Sequence, residues 1–526
     1  MNRGSFMDHK VLQVRKISTM IISIVLTLCV CLGIFFYYGH KKEIMFCDEV
    51  YSYTVANVHG VHIAVRDNKW YTADEMDKRF SSGQDGYNFK AVAEGTGNDV
   101  SPPIYYCLIK AMAATFPDST SKWIGLGTNL FFFIPFLALL YWGFWRITKR
   151  PWIAMAFTVL LGVNQGIQGV ALLIRMYMLF VLCMQIFFLL TDKVDSNYGK
   201  IGAYLGLAVT TFVGFMTHYY FAMYVAIFSV FFVLVKAIEK NWKQIILYLT
   251  AMVVAVGAAT LYFPQWIRHF FGSDKGNTSI STLTDWSHIG EEVLEAFGQI
   301  GRFVFPNSGI LYWMILIVIS VLFFTIKDES LNCAKKSCAM HLAAQISYYC
   351  VVAHVMPSPE ERYYWAVIIL QCIVAASMLA CVLKKYQLLE NKKAVTAILA
   401  LSVLYTALFP MRMKYVPYHG AELKEGRLIM EEYSQIPWII YGDKDWVLHC
   451  PAFDFLIPEQ IMFHTDTSTI GYDDVLASRR EFVLYVRSDE HLSAVLEKLK
   501  EVYGAEWQAE KLADRSYNDA YLITLQ

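Results

Sequence analysis

The pattern of apolar and polar positions divides the chain into two unlike parts. Up to about residue 411, apolar blocks of roughly 18 to 25 residues alternate with short polar segments, and this block length crosses a bilayer as a helix. We therefore predict a polytopic α-helical membrane domain over residues 1–411. The blocks lie at 17–38, 123–146, 152–173, 176–192, 200–217, 219–236, 244–263, 309–326, 339–355, 363–383 and 394–411.

A further apolar block, 104–116, is only about a dozen residues long, which suits an interfacial or re-entrant helix. If it does not cross, the basic clusters of the later turns share the face of the N-terminus, as the positive-inside rule requires. If it crosses, the rule fails at every later loop. We therefore predict about eleven transmembrane helices, with the N-terminus inside and the C-terminus outside. The clusters are Arg146-Lys149-Arg150, Lys193/Lys200, Lys236/Lys240/Lys243, Lys327/Lys335/Lys336 and Lys384/Lys385/Lys392/Lys393.

The pattern changes over residues 412–526, where short runs of alternating and β-branched residues replace the long apolar blocks. The segments 438–441, 482–486 and 521–525 are typical of β-strands. The segment 491–503 has the periodicity of an amphipathic helix and is followed by Gly504. We predict a small extracytoplasmic α/β soluble domain, which places a C-terminal sheet outside the membrane.

Composition supports a membrane protein and excludes some partners. Of 526 residues, 56% are hydrophobic and only 17% charged, against about 25% charged in a soluble domain. Basic and acidic residues both number 45, so net charge gives no sign of nucleic-acid binding. Most of the eleven cysteines lie in apolar blocks and are read as small apolar residues, which argues against a disulfide framework. The first block, 17–38, lacks a small-residue cleavage site and is predicted to be a retained signal anchor.

The predicted topology gathers the unusual polar residues on the outer face. The first outer loop, 39–103, carries the adjacent acids Asp48 and Glu49, and a second long outer loop spans 264–308. An acidic pair so close to a bilayer is costly unless it is wetted, paired or used. One interpretation is a solvated interfacial pair; the other is a catalytic base held near the membrane because its substrate is a lipid.

Arginines occur at two other outer turns. Arg175 stands between two apolar blocks and is followed by Tyr177, whereas Arg362 lies between Glu361 and Tyr363. A snorkelling arginine or an internal ion pair would explain each without function. On the outer face, however, an isolated Arg gains nothing from the positive-inside rule, and Arg is the preferred residue for bidentate phosphate contact.

Two further outer segments carry candidate residues. His218 and Tyr219 lie at the turn between two spans, where a histidine is either a structural hydrogen-bonding group or a metal ligand. Asp99 precedes Ser101-Pro102-Pro103, and Tyr105 follows it. The prolines suit the first turn of a helix, whose N-terminus could face an anionic group.

Together these motifs resemble the C-type membrane glycosyltransferases, in particular the family-39-like group of protein O-mannosyltransferases and lipid A aminoarabinose transferases. The resemblance covers roughly residues 15–385 and departs from the family at Ser101, where many relatives carry a charged residue. The motifs are Asp48-Glu49, Ser101-Pro102-Pro103-Ile104-Tyr105-Tyr106, Arg175-Met176-Tyr177, Thr217-His218-Tyr219-Tyr220 and Glu361-Arg362-Tyr363.

The resemblance implies an enzyme of a bacterial plasma membrane that uses a polyprenyl-phosphate sugar as donor. It further implies transfer at the outer face to an acceptor hydroxyl on a protein, lipid or polysaccharide, by an inverting single displacement. Asp48 is then the base, and Glu49 positions it or binds a metal. Arg175 and Arg362, with Tyr177 and Tyr363, are the phosphate-binding candidates. A divalent metal is a candidate cofactor, with Asp48, Asp99 and His218 as candidate ligands; Tyr105, Tyr219 and Glu361 complete the candidate site.

Two alternatives remain from the sequence. A lipid-linked glycan flippase would place polar residues at the bilayer midplane and show related halves, whereas the unusual residues here cluster on one face. A polysaccharide polymerase or ligase would use a large late loop. The loop 264–308 qualifies by length, and its candidate residues are Arg268, His269, Asp274 and Glu291.

Overall fold

A computed structural model describes most of the chain and shows a mainly helical protein with one small sheet. The described residues are 3–42, 45–58, 65–81, 85–117, 120–196, 200–282, 286–306, 308–356, 360–408, 424–444, 447–448, 454–515 and 518–526. The helices within them are α1 (Arg3–Lys41), α2 (Cys47–Tyr53), α3 (Ala73–Phe80), α4 (Phe89–Asn98), α5 (Ile104–Thr115), α6 (Lys122–Thr148), α7 (Pro151–Gly162), α8 (Gln165–Leu172), α9 (Tyr177–Ser196), α10 (Ile201–Phe215), α11 (Tyr219–Ile238), α12 (Trp242–Tyr262), α13 (Trp266–Phe271), α14 (Asp274–Thr282), α15 (Ile289–Val304), α16 (Gly309–Phe324), α17 (Asn332–Val355), α18 (Trp365–Lys385), α19 (Lys392–Leu408), α20 (Lys424–Glu432), α21 (Asp474–Arg479) and α22 (Asp489–Tyr503).

The membrane domain has the predicted architecture. Within the described residues, 7 helices are long and apolar enough to cross a membrane, and 9 spans result if each of two bent pairs counts as one. The pairs are α7 with α8, bent by 64°, and α15 with α16, bent by 86°. The two other predicted spans are also helical, as α10 with 15 residues and α19 with 17. The polytopic helical fold is therefore confirmed.

The bend between α7 and α8 has a local cause. Asn164 separates the two helices and caps α8, its side-chain oxygen accepting the N–H of Gly166 at 3.0 Å. The Gln168 amide donates to the carbonyl of Gly162 at 2.7 Å, which satisfies one of the acceptors left at the end of α7. Because of the bend, α8 is a short helix, and the turn that contains Arg175 directly follows its end.

The two long loops are largely helical. The first contains α2 to α4, a π-helical turn Thr54–Val58 and then α5, the short helix predicted as interfacial or re-entrant. The first N–H of α5, on Ile104, donates to the carbonyl of Met216 at 3.1 Å. This bond ties the start of α5 to the turn between α10 and α11. The second loop forms α13, α14 and α15.

One six-stranded sheet joins the C-terminal part to the first loop. The strands are β1 (Trp70–Thr72), β2 (Trp438–Tyr441), β3 (Gln460–His464), β4 (Glu481–Val486), β5 (Trp507–Arg515) and β6 (Asn518–Leu525), in the order β1-β3-β2-β4-β6-β5. β2, β4 and β6 lie at the predicted strands, and α22 contains the predicted helix. β3, β5 and β1 were not predicted from the sequence, and β1 comes from the first loop. The predicted boundary at residue 412 lies outside the described residues.

Side chains reinforce the pairing of the first loop with the C-terminal sheet. Asp67 accepts both the N–H and the hydroxyl of Thr465, at 2.8 and 2.9 Å. The Trp70 indole donates to the Asp473 carboxylate at 3.0 Å. Tyr71 is fully buried and packs edge-on against Phe463. The sheet is therefore anchored to the same loop that carries Asp48.

The pairing of β1 with β3 can be tested by cross-linking. Thr72 faces Gln460 in the antiparallel register, and both positions are exposed. Opposite Cα atoms in such a pair lie about 4.5–5.5 Å apart, which a disulfide can span. We expect Thr72→Cys with Gln460→Cys to form a disulfide under mild oxidation, detected by mass spectrometry of the linked peptides. The control, Thr72→Cys with Glu481→Cys, should not cross-link, and equal linkage in both pairs would contradict the register.

Candidate functional site

A cavity of about 640 Å³ lies at one end of the helical bundle, a size that is typical of small-molecule sites. Helices α2, α9, α11, α13, α14 and α17 contribute to its wall together with the turns that precede α5, α9, α11 and α18. The lining residues are Asp48, Tyr51, Asp99, Val100, Ser101, Pro102, Arg175, Met176, Tyr177, His218, Tyr219, Tyr220, Met223, His269, Phe270, Ser273, Gly276, Val351, Val355, Arg362 and Tyr363. Residues from five predicted motifs thus meet in one place.

Asp48 is in contact with both predicted arginines. Its carboxylate forms an ion pair with the Arg362 guanidinium, which also contacts the Glu360 carboxylate at 2.6 Å. Arg175 donates to the main-chain carbonyl of Asp48 at 3.1 Å and to the hydroxyl of Tyr106 at 3.0 Å. The two guanidinium groups and the carboxylate therefore form one connected cluster in the cavity wall.

Glu49 has a different position from its neighbour. It is fully buried and does not line the cavity. One carboxylate oxygen accepts from the Lys42 ammonium and from the Phe46 N–H, both at 2.8 Å. The other oxygen accepts the N–H of Ile174 at 2.7 Å. Glu49 thus joins the end of α1, the start of α2 and the turn before Arg175. Of the two roles proposed from the sequence, this geometry favours positioning.

His218 caps α11 and lies among aromatic rings. Its Nδ1 accepts the N–H of Tyr220 at 3.2 Å, and its ring stacks on Phe180 with centroids 5.1 Å apart. Burial, followed by the charges of Arg175 and Arg362, lowers the pKa of His218 to about 3. The imidazole is therefore neutral at ordinary pH. Because Nδ1 is an acceptor, the proton is on Nε2, which is available as a donor.

Comparison with known proteins places the chain in a family. A family model described as bacterial membrane protein YfhO matches residues 196–520, which is more than half of the chain. The chain belongs to this YfhO family. The match includes His218 and Arg362 but begins after Asp48 and Arg175. A comparison with curated proteins finds no match.

Solved structures with a similar fold include ArnT from Cupriavidus metallidurans. The structure of ArnT bound to undecaprenyl phosphate aligns with a TM-score of 0.54 at 10% identity and covers 95% of this chain and 97% of ArnT. The apo structure of ArnT aligns with a TM-score of 0.52 at 11% identity over the same shares of both chains. The YfhO-family chain therefore has the fold of the C-type membrane glycosyltransferases, as the sequence motifs predicted.

Most of the other predicted site residues of this YfhO-family protein also line the cavity. Asp99, Tyr177, Tyr219 and Tyr363 do so, whereas Tyr105 and Glu361 do not. The Tyr105 hydroxyl is buried and donates to the Asn129 side chain at 2.9 Å. In each case the adjacent residue makes the contact with an arginine of the site: Tyr106 accepts a hydrogen bond from Arg175, and Glu360 forms an ion pair with Arg362.

Some residues that line the cavity were not predicted site residues, or were predicted only for another function. Tyr220 packs against Tyr363 with ring centroids 4.8 Å apart, which forms an aromatic wall. His269, which was considered only for the polymerase alternative, lines the same cavity. Its neighbour Arg268 donates to the Gly97 carbonyl. Glu291 is exposed, and the side chain of Asp274 lies outside the described residues. The sequence offered a usable signal for Tyr220, since the two aromatic residues Tyr219 and Tyr220 directly follow His218.

The candidate metal ligands share the cavity without forming a metal-binding cluster. Asp48, Asp99 and His218 all line it. However, the Asp48 carboxylate is paired with Arg362, and Nδ1 of His218 accepts a main-chain N–H. No group of three His, Cys, Asp or Glu side chains that could hold a metal ion is found among the residues the structure describes. These residues as arranged do not fit a metal centre.

The role of Glu49 can be measured as a loss of stability. Lys42 and Glu49 are both buried, with exposed fractions of 2% and 0%. Removing one partner of a buried ion pair typically costs about 3–5 kcal/mol. We expect Glu49→Gln to lower the free energy of unfolding by about 3 kcal/mol, measured by thermal or denaturant unfolding in detergent. The control is Glu94→Gln, which removes an exposed pair with Lys90 and should change little. Equal stability of the two variants would contradict the assignment.

Proposed function

We propose that this protein transfers a sugar from a polyprenyl-phosphate donor to an acceptor hydroxyl at the outer face of the membrane. The observation that carries this proposal is the convergence of Asp48, Arg175, His218 and Arg362 on one cavity at the end of the helical bundle. One carboxylate and two guanidinium groups provide a base and the positive charge that a departing phosphate requires.

The direction of the helices supports the outer face. Helices α9, α11 and α18 begin at the cavity, and α17 ends there. Their opposite ends carry basic residues, namely Lys193, Lys236, Lys384 and Lys385, and Lys335 and Lys336. Cytoplasmic turns are rich in Lys and Arg, so the basic ends belong inside and the cavity belongs outside.

The positive charge and the apolar residues of the cavity support a polyprenyl-phosphate donor. Arg175 and Arg362 offer several N–H donors to a phosphate, and the neutral His218 offers one more. Met223 on α11 and Val351 and Val355 on α17 add an apolar side to the same cavity, which suits the first isoprene units of a lipid. The similar fold of ArnT, which has been solved with undecaprenyl phosphate, supports a polyprenyl carrier.

The proposed reaction is a single displacement. Asp48 accepts the proton of the acceptor hydroxyl while the oxygen of that hydroxyl forms a bond to the anomeric carbon. The bond from that carbon to the phosphate oxygen breaks, and the electron pair leaves with the lipid phosphate. Attack from the side opposite the leaving group inverts the anomeric centre. Arg362 contacts Asp48 directly, so a positive charge lies beside the proposed base.

Substitution of the base tests this assignment. We expect Asp48→Asn to reduce sugar transfer by about 10²-fold or more, because a general base typically contributes 10²–10⁴-fold. The measurement is transfer of labelled sugar from polyprenyl-phosphate donors in proteoliposomes. The control is Asp328→Asn, which removes a carboxylate paired with Lys385 at 2.7 Å on the opposite end of the bundle. Transfer that persists in Asp48→Asn would contradict the proposal, and translocation of the donor without transfer would favour a flippase.

A chelator tests the alternative of a catalytic metal. Because the candidate ligands do not fit a metal centre, the positive charge in the proposed mechanism comes from Arg175 and Arg362. We expect transfer to continue in excess EDTA, measured by initial rates in the same proteoliposomes. Arg362→Lys should reduce transfer under both conditions, since Lys lacks the planar bidentate donors. Loss of transfer in EDTA and its recovery with a divalent cation would contradict this assignment.

A further inference from the structure

Asp99, Tyr219 and His269 form a second polar part of the cavity wall, which we call the acceptor-rich wall. It is built from other elements than the arginine cluster: Asp99 follows α4, Tyr219 begins α11 and His269 lies on α13. We propose that the acceptor-rich wall binds vicinal hydroxyl groups of a neutral sugar ring. This inference rests on the proposed function, since it names the kind of group that the transferase site recognises.

The carboxylate of Asp99 is available for a ligand. It lines the cavity and is partly exposed. Within the part of the chain that the structure describes, its oxygens have no hydrogen-bond or ion-pair partner. By contrast, the Asp48 carboxylate is already paired with Arg362. An ionised carboxylate can only accept hydrogen bonds, so Asp99 selects a ligand with donor groups.

The ring of His269 determines what Tyr219 can offer. Nε2 of His269 contacts the Gly97 carbonyl at 3.2 Å, and because a carbonyl only accepts, the proton is on Nε2. Burial lowers the pKa of His269, which favours the neutral ring. Nδ1 therefore accepts the Tyr219 hydroxyl proton across 2.6 Å. The hydroxyl proton of Tyr219 is therefore used in the hydrogen bond to His269, and the lone pairs of the Tyr219 oxygen can accept from a ligand.

The neighbouring polar groups of this wall form hydrogen bonds within the protein. The Ser273 hydroxyl donates to the His269 carbonyl at 2.6 Å and accepts the N–H of Gly276 at 3.0 Å. Arg268 and His269 both donate to Gly97, two residues before Asp99. These bonds hold the end of α4 against α13. They therefore fix the position of Asp99 at the cavity.

The two polar parts of the cavity thus have opposite hydrogen-bonding character. The arginine cluster presents donors, which suits a phosphate, whereas the acceptor-rich wall presents the oxygens of Asp99 and Tyr219. A pair of adjacent hydroxyls can donate to both oxygens of one carboxylate. The rings of Tyr220 and Tyr363 lie in the same lining and offer an apolar surface to the C–H face of a sugar. The hydroxyls could belong to the donor sugar or to a sugar acceptor.

Ligand-induced thermal stabilisation tests the inference without relying on turnover. The full chain in nanodiscs is mixed separately with undecaprenyl phosphate and with neutral methyl hexosides of gluco, galacto and manno configuration. We expect both kinds of probe to raise the unfolding midpoint. Asp99→Asn should reduce hexoside affinity at least tenfold and leave the undecaprenyl phosphate shift unchanged, whereas Arg362→Lys should do the reverse. Glu94→Gln, an exposed carboxylate on α4, should retain both shifts.

The outcomes separate this inference from the proposed function. Absence of an undecaprenyl phosphate shift in the wild type would contradict the proposed function itself. A hexoside shift that is absent in the wild type, or that survives in Asp99→Asn, would overturn the inference alone. Stronger stabilisation by a methyl hexosaminide than by the hexosides would also overturn it, because the wall would then select an ammonium group.

Kinetics then identifies the source of the hydroxyls. In the transfer assay, Asp99→Asn should raise the KM of one substrate at least tenfold while kcat changes less. An increase in the KM of the polyprenyl-phosphate sugar assigns the wall to the donor sugar, and an increase in that of the acceptor assigns it to the acceptor. Tyr219→Phe should affect the same substrate. An unchanged KM for both substrates would contradict the role of this wall.

Discussion

The arrangement of the cavity depends on the buried carboxylate of Glu49. It receives hydrogen bonds from the Lys42 side chain and from the main-chain N–H groups of Phe46 and Ile174. These donors belong to three separate segments. Asp48, which precedes Glu49, and Arg175, which follows Ile174, both line the cavity. A carboxylate is expensive to bury without partners, so the meeting of these segments stabilises the folded protein. The contacts of Glu49 thereby bring the proposed base and a proposed phosphate-binding arginine close together.

The cavity built on this anchor is polarised in two ways. Along the bundle, basic residues occupy one end of the helices and the cavity occupies the other, which gives the site its proposed face of the membrane. Within the cavity, guanidinium donors occupy one part of the wall and the oxygens of Asp99 and Tyr219 another. A lipid-linked sugar has the matching division, with a charged phosphate at one end and neutral hydroxyls at the other. The apolar residues of α11 and α17 complete this correspondence.

The sheet connects the C-terminal part to the loop that carries Asp48 and Asp99. β1 is a three-residue strand from the first loop, too short to be stable without its neighbour β3. Asp67 and Trp70 extend the contact by hydrogen bonds to Thr465 and Asp473. The loop that carries Asp48 and Asp99 is thus held by the membrane helices on one side and by the sheet on the other. This gives the C-terminal part a structural connection to the site, although it contributes no lining residue among those described.

The sequence by itself determined the membrane architecture, the strands β2, β4 and β6, and the motifs that meet in the cavity. These features depend on local patterns: apolar length, charge at helix ends and the alternation of strands. Tertiary structure alone decided which of two adjacent residues serves the site. Glu49 points into the protein and Asp48 into the cavity, Tyr106 rather than Tyr105 holds Arg175, and Glu360 rather than Glu361 contacts Arg362. Tertiary structure also decided the pairing of β1 with β3 and the position of His269 in the cavity wall. Such choices depend on the rotation of a helix or turn and on contacts across hundreds of residues, neither of which a local pattern specifies.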